Sequence, residues 1–188
     1  MANFKILFTD YFDVDKSILD NYGALNLCLS SDLPLFLDPF LLFASDKQEY
    51  KTLHKNIVEH LITLKNIAVE NRTTASKNNL FKFSEIKQNW LGMSKYGNDG
   101  KGLGEKFAKN IVEAFNGFYN SFGNEEITEE SHIEKLTILN SGVGKDFISD
   151  FTTNLIFEYL LNYTEEFALK YLKPNQITFG DVTLGVNA

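Results

Sequence analysis

Two loops rich in glycine and lysine contain the residues of this sequence whose types and spacing could support chemistry. The first loop spans residues 92–104 and the second spans residues 140–146, and each leads into a segment with helical apolar spacing. Glycine lets the backbone approach a ligand closely, and the first turn of a helix presents unpaired N–H groups that favour anions. The loops therefore predict these phosphate-binding residues: Lys95, Gly100, Lys101, Gly102, Gly104 and Lys145.

The first loop also has a plainer explanation. Glycine clusters are most often solvent-exposed connections, and the G-x-x-x-x-G-K-[ST] spacing of a Walker A motif is absent from the sequence. Trp90 and Tyr96 flank this loop, so aromatic rings and positive charge coincide there, as single-strand nucleic-acid binders require. A local lysine patch could thus bind nucleic acid or a nucleotide, although tryptophan more often anchors an element to the core.

Acidic residues begin the helix that follows the second loop. Asp146 and Asp150 lie one helical turn apart and could bind a divalent cation, Mg²⁺ or Mn²⁺, through their oxygens. They share one helix sector with other polar side chains, and the remainder of the helix is apolar nearly all round. Such helices are buried, so we expect both carboxylates to face inward, towards the glycine loops. The candidate catalytic residues are Asp146, Asp150, Glu134 and His132.

Structural roles explain the same residues equally simply. An aspartate in the first turn of a helix stabilises the helix dipole, and the polar sector can be a solvated face. His132, next to a possible helix cap, has the pattern of a surface residue as well as that of an acid–base group. His54 and His60 lie on opposite sides of their predicted helix and therefore cannot share a metal ion.

Composition excludes several classes of protein. The chain has 188 residues, a formal net charge of −7 and a single arginine, Arg72, so a nucleic-acid contact would have to be local. Cys28 is the only cysteine, which excludes a disulfide framework and a cysteine-rich zinc site. The most apolar stretch, residues 33–44, is too short to span a bilayer. We therefore predict a cytoplasmic protein that does not bind membranes.

Apolar periodicity predicts an α+β fold that is mainly helical. Short strands are predicted at residues 4–8, 24–29 and 33–37, with one or two helical turns at residues 15–21. Three long amphipathic helices are predicted at residues 45–71, 105–122 and 146–172, the last ending before Pro174. The N-terminal strands would form a small sheet, to which the tail at residues 176–186 could add. The whole chain, residues 1–188, is predicted to be one domain.

Four segments resemble an uncharacterised bacterial protein family: residues 38–42, 92–107, 131–136 and 142–156. The resemblance implies that this chain is the N-terminal part of a longer protein. It also implies association with mobile elements or antiviral defence, together with a protein partner or a further C-terminal domain.

Two functions from different classes are consistent with these patterns. The acidic charge and the lack of a complete catalytic motif favour a non-catalytic interaction domain or subunit of a bacterial assembly, such as one for antiviral defence. The alternative is a metal-dependent enzyme domain that acts on phosphodiesters or nucleotides, in which the lysines would hold phosphate and the metal ion would activate water.

Overall fold

A computed structural model describes residues 5–70, 79–81, 83, 86, 89–93, 108–110, 112–113 and 144–180. These residues are 66% helical and contain no strand, so the predicted α+β fold with a small sheet is wrong for the described part of the chain. No helix in these ranges combines the length and the apolar character needed to cross a membrane. The described residues divide into two compact units, and the single domain over residues 1–188 stays a prediction.

Unit one comprises the described residues within 5–35, 89–93 and 157–180. It contains α1 (Phe8–Phe12), α2 (Lys16–Tyr22), α6 (Phe157–Tyr171) and a 3-10 turn at Pro174–Gln176. Its core is largely aromatic, because Phe167 of α6 packs its ring 5.9 Å from that of Phe8 and 5.1 Å from that of Tyr22. Val14 and Leu19 complete this core.

Local sequence explains the ends of α2. The Asp15 side chain accepts a hydrogen bond of 2.7 Å from the Ser17 N–H and so satisfies one of the unpaired donors in the first turn. Gly23 ends the helix in the left-handed region at φ 83°, where glycine is favoured. The predicted helical turns at residues 15–21 are therefore confirmed.

The two predicted strands at residues 4–8 and 24–29 meet at one isolated antiparallel bridge, between Leu7 and Cys28. Pairing stops there because the side-chain amide of Asn26 binds Thr9, accepting from its N–H at 3.1 Å and donating to its hydroxyl at 2.9 Å. Phe8 and Phe12 have helical spacing and bring their ring centroids to 4.5 Å. Burial of these rings favours a helix over a strand from residue 8 onward.

The predicted strand at residues 33–37 is also reduced to a single bridge, here a parallel one between Leu33 and Leu91. Pro34 has no N–H to donate, and the Leu35 N–H turns back to the Leu33 carbonyl at 2.7 Å. The tail likewise departs from expectation, because residues 177–180 have no regular secondary structure.

Unit two comprises the described residues within 36–86, 108–113 and 144–156. It contains α3 (Pro39–Phe43), α4 (Gln48–Glu70), a 3-10 turn at Asn79–Phe81 and α5 (Lys145–Leu155). The predicted amphipathic character of α4 is confirmed, because Ile57, Leu61 and Leu64 recur at helical spacing and are all buried. Residues 108–110, 112 and 113 are helical, and the rest of the helix predicted at residues 105–122 lies outside the described residues.

The long helix predicted at residues 146–172 is two helices, α5 and α6, separated at Ile156. Thr153 and Asn154 donate side-chain hydrogen bonds to the carbonyls four residues earlier, at 2.7 and 2.9 Å. Such bonds compete with the backbone hydrogen bonds of the helix and often bend it. The second helix ends at Tyr171, before Pro174, as predicted.

Candidate functional site

The start of α5 is the part of the predicted phosphate and metal site that the structure describes. Gly144 is its N-cap residue, and no side chain caps the first turn. Lys145 is exposed, and its Nζ lies 4.9 Å from the centroid of the Phe36 ring. The lysine is thus held beside an aromatic face at this end of the helix, a contact of the cation–π type.

The two aspartates of α5 differ in exposure. Asp146, in the first turn, is exposed, so the prediction that it faces inward is wrong. Asp150, one turn later, is half-buried. A carboxylate in the first turn of a helix is already stabilised by the helix dipole and needs no metal ion or buried lysine as partner.

Three other polar residues of this helix, Ser149, Thr152 and Thr153, are more deeply buried than the aspartates. Ser149 accepts a hydrogen bond of 2.9 Å from the Leu37 N–H through its hydroxyl, and its carbonyl accepts from the Thr153 hydroxyl at 2.7 Å. The buried Thr152 hydroxyl has no hydrogen-bond partner among the described residues. Within the predicted polar sector, Ser149 therefore fixes α5 to the backbone at Leu37, while Asp146 is exposed.

Most of the predicted site lies outside the described residues, namely Lys95, Gly100, Lys101, Gly102, Gly104, Glu134 and His132. At the described beginning of the first loop, Gly92 has φ 144° and packs against the carboxylate of Asp32. Trp90 is half-buried and has φ 51°, an uncommon conformation for a non-glycine residue. Where the chain is described, no three His, Cys, Asp or Glu side chains come together as a metal site.

The described histidines and the cysteine lie in the interior or at its edge. His54 is buried with its ring 5.1 Å from that of Phe43. His60 is half-buried beside the rings of Phe83 and Phe151, at 6.1 Å from each. Burial lowers the pKa of His60. These contacts give both histidines a role in packing.

Cys28 is 2% exposed and therefore belongs to the core. Its Sγ lies 3.3 Å from the hydroxyl of Ser30 and 3.4 Å from that of Ser31. These hydrogen bonds lower the pKa of the thiol to about 7. The thiol is nevertheless buried, so Cys28 makes these hydrogen bonds inside the protein.

Helix α3 carries an exposed apolar surface that was not predicted from the sequence. Phe40, Leu41 and Phe43 are 44%, 65% and 37% exposed, on a helix of five residues. The ring centroids of Phe40 and Phe43 are 6.2 Å apart. We call the three exposed side chains of this helix, Phe40, Leu41 and Phe43, the α3 surface. Adjacent exposed apolar side chains are typical of protein-interaction sites, whereas single ones are common everywhere.

The physical cause of α3 is visible in the sequence. Asp38 accepts a hydrogen bond of 3.0 Å from the Phe40 N–H, and Pro39 occupies the first helical turn. Aspartate followed by proline is a favoured helix start, because proline has no N–H that would need a partner there. No helix was predicted here, because the strand predicted at residues 33–37 ends immediately before this pair. Pro39 is buried and so packs α3 onto the rest of unit two.

The fold and its surfaces define a predominantly helical protein with a short, exposed apolar helix. The sequence matches a protein family described as Domain of unknown function (DUF8370) over residues 13–183, and the chain belongs to this family. No curated protein and no solved structure matches the chain.

Proposed function

We propose that this protein is a non-catalytic interaction domain that binds a protein partner through the α3 surface. The observation that carries the proposal is the exposure of Phe40, Leu41 and Phe43 on one short helix. Aromatic residues are enriched in protein interfaces, and burial of exposed apolar side chains is the main favourable contribution to association. Leu41, with 65% of its surface exposed, would contribute the most newly buried area.

The anchoring of α3 supports this role. The Asp38 side chain caps the helix, Pro39 is buried, and the Phe43 ring packs 5.1 Å from His54 of α4. A surface held in place before binding loses less conformational entropy when a partner docks. The α3 surface is therefore better suited to recognition than an apolar side chain on an unanchored loop.

The test uses photo-crosslinking followed by affinity measurement on the whole protein. A photoreactive phenylalanine analogue is placed at position 41 in one variant and at position 56 in a control. Asn56 is also exposed and lies on α4 of the same unit. A protein captured from position 41 alone is then purified, and its affinity for the wild type, Leu41→Asp and Asn56→Asp is measured by calorimetry.

We expect Leu41→Asp to weaken binding at least tenfold, which corresponds to about 1.4 kcal/mol, because a charge would be buried in the interface. Asn56→Asp adds the same charge at an exposed position and should bind like the wild type. Equal affinity of all three proteins for the captured partner would contradict the proposal, as would identical crosslinked products from positions 41 and 56.

The enzyme hypothesis stays a prediction that no described geometry favours. Asp146 is exposed, and the described residues supply no third acidic or histidine ligand beside it and Asp150. A thermal-shift titration with Mg²⁺, Mn²⁺ and nucleotides tests it, with Asp150→Asn as the matched variant. A metal-dependent rise in melting temperature that Asp150→Asn abolishes would favour the enzyme over the interaction domain.

We further propose that the protein acts in the cytoplasm as part of a larger bacterial assembly. The single, buried Cys28 supports the cytoplasmic location, because disulfides are rare in that reducing compartment. The resemblance of four segments to a bacterial family supports the assembly and its association with antiviral defence. Identification of the protein crosslinked at position 41 tests both statements directly.

A further inference from the structure

We draw no further inference here: the strongest candidate, the buried thiol of Cys28 between the hydroxyls of Ser30 and Ser31 in unit one, is a lone cysteine for which the described residues supply no second observation that points to a ligand.

Discussion

The α2–α6 contact in unit one and the α4–α5 contact in unit two satisfy their polar groups differently. In the first, the Tyr22 hydroxyl donates to the Tyr163 carbonyl at 2.8 Å, and the Tyr163 hydroxyl donates to the Tyr22 carbonyl at 3.1 Å. Burial raises the pKa of Tyr22, with the charge of Glu166 as a smaller cause, so its phenol remains a donor. Both partly buried hydroxyls therefore have partners.

Helices α4 and α5, in contrast, bury polar atoms that have no hydrogen-bond partner in the described structure. His60 Nε2 and the Thr152 hydroxyl are buried and make no hydrogen bond within the described structure. Each such group costs about 1–3 kcal/mol relative to its hydrogen-bonded state in water. The buried polar groups of α4 and α5 are thus less well satisfied than those of the tyrosine pair in unit one. The α3 surface, an exposed apolar region, also belongs to unit two.

This difference suggests where function resides. Natural proteins accept unfavourable local energies at functional sites and compensate for them elsewhere in the fold. Unit one also exposes apolar side chains, among them Tyr11, Leu169 and Phe179. In unit two, the unpaired buried groups of α4 and α5 accompany three exposed apolar residues on one short helix, which is consistent with the binding role proposed for α3.

The largest expected effect is the loss of an aromatic ring from unit one. Phe167→Ala should lower the free energy of unfolding by about 3–5 kcal/mol, because the ring is buried against three other aromatic rings. Urea denaturation followed by circular dichroism measures this change. Leu169→Ala, on the same helix but 57% exposed, is the matched control and should stay within about 0.5 kcal/mol of wild type. Similar losses in both variants would show that this core is not organised as described.

A smaller effect is expected at the beginning of the first glycine loop. Gly92→Ala should destabilise the protein by about 1–3 kcal/mol, since φ 144° strains any residue with a Cβ atom. The new Cβ would also lie 3.0 Å from Asp32 Oδ2. Gly180→Ala, where nothing lies within 4 Å of the new Cβ, is the control and should be nearly neutral. Urea denaturation measures the free energy of unfolding of both variants. Equal stability of Gly92→Ala and Gly180→Ala would contradict the strained geometry at Gly92.

Two neighbouring threonines of α5 should respond with opposite signs. Thr152→Val removes a buried hydroxyl that has no partner in the described structure, so we expect stabilisation by about 1 kcal/mol. Thr153→Val removes a hydroxyl that donates to the Ser149 carbonyl at 2.7 Å, so we expect a loss of about 1 kcal/mol. The two changes are chemically identical and lie in one helix, which cancels most effects of propensity and volume. Thermal unfolding of the two variants measures their difference in stability. Shifts of the same sign would contradict the view that the Thr152 hydroxyl is unpaired and the Thr153 hydroxyl is paired.

Local signals allowed part of this fold to be predicted from the sequence. The capping aspartate before α2, the apolar stripe of α4 and the proline after α6 each act within a few residues. The helix that replaces the end of the strand predicted at residues 4–8 could not be predicted from local signals. Its start at Phe8 depends on a ring contact with Phe167, which is distant in the sequence. Tertiary packing therefore overrode the strand preference of this short apolar segment.

The candidate site was harder to predict than the fold. Helical spacing correctly placed polar residues together on α5, but spacing does not say which of them face solvent. The N-terminal position of Asp146 leaves it exposed, whereas Ser149 and Thr153, about one and two turns later, are buried. The α3 surface could have been found from the Asp38–Pro39 pair, had that pair been interpreted as a helix start.

The smallest expected effect concerns pH and tests the α4–α5 contact without changing its shape. Burial lowers the pKa of His60 below its ordinary value of 6.5, although a hydrogen bond to the Leu80 carbonyl opposes the shift. The unfolded chain then binds more protons than the folded protein as the pH falls below 6.5, so the free energy of unfolding decreases. One histidine can contribute a slope of at most about 1.4 kcal/mol per pH unit. Above pH 6.5 the same residue should have almost no effect on stability.

His60→Phe keeps an aromatic ring beside Phe83 and Phe151 but cannot take up a proton. Urea unfolding of both proteins between about pH 5 and pH 8 should therefore give a shallower acid slope for the variant, because one linked proton has been removed. His54 and His132 are present in both proteins, so their titration cancels in the comparison. Parallel slopes would mean that the His60 ring meets solvent or a proton acceptor in the folded protein. In that case the contrast between the α4–α5 contact and the satisfied tyrosines of unit one would rest on Thr152 alone.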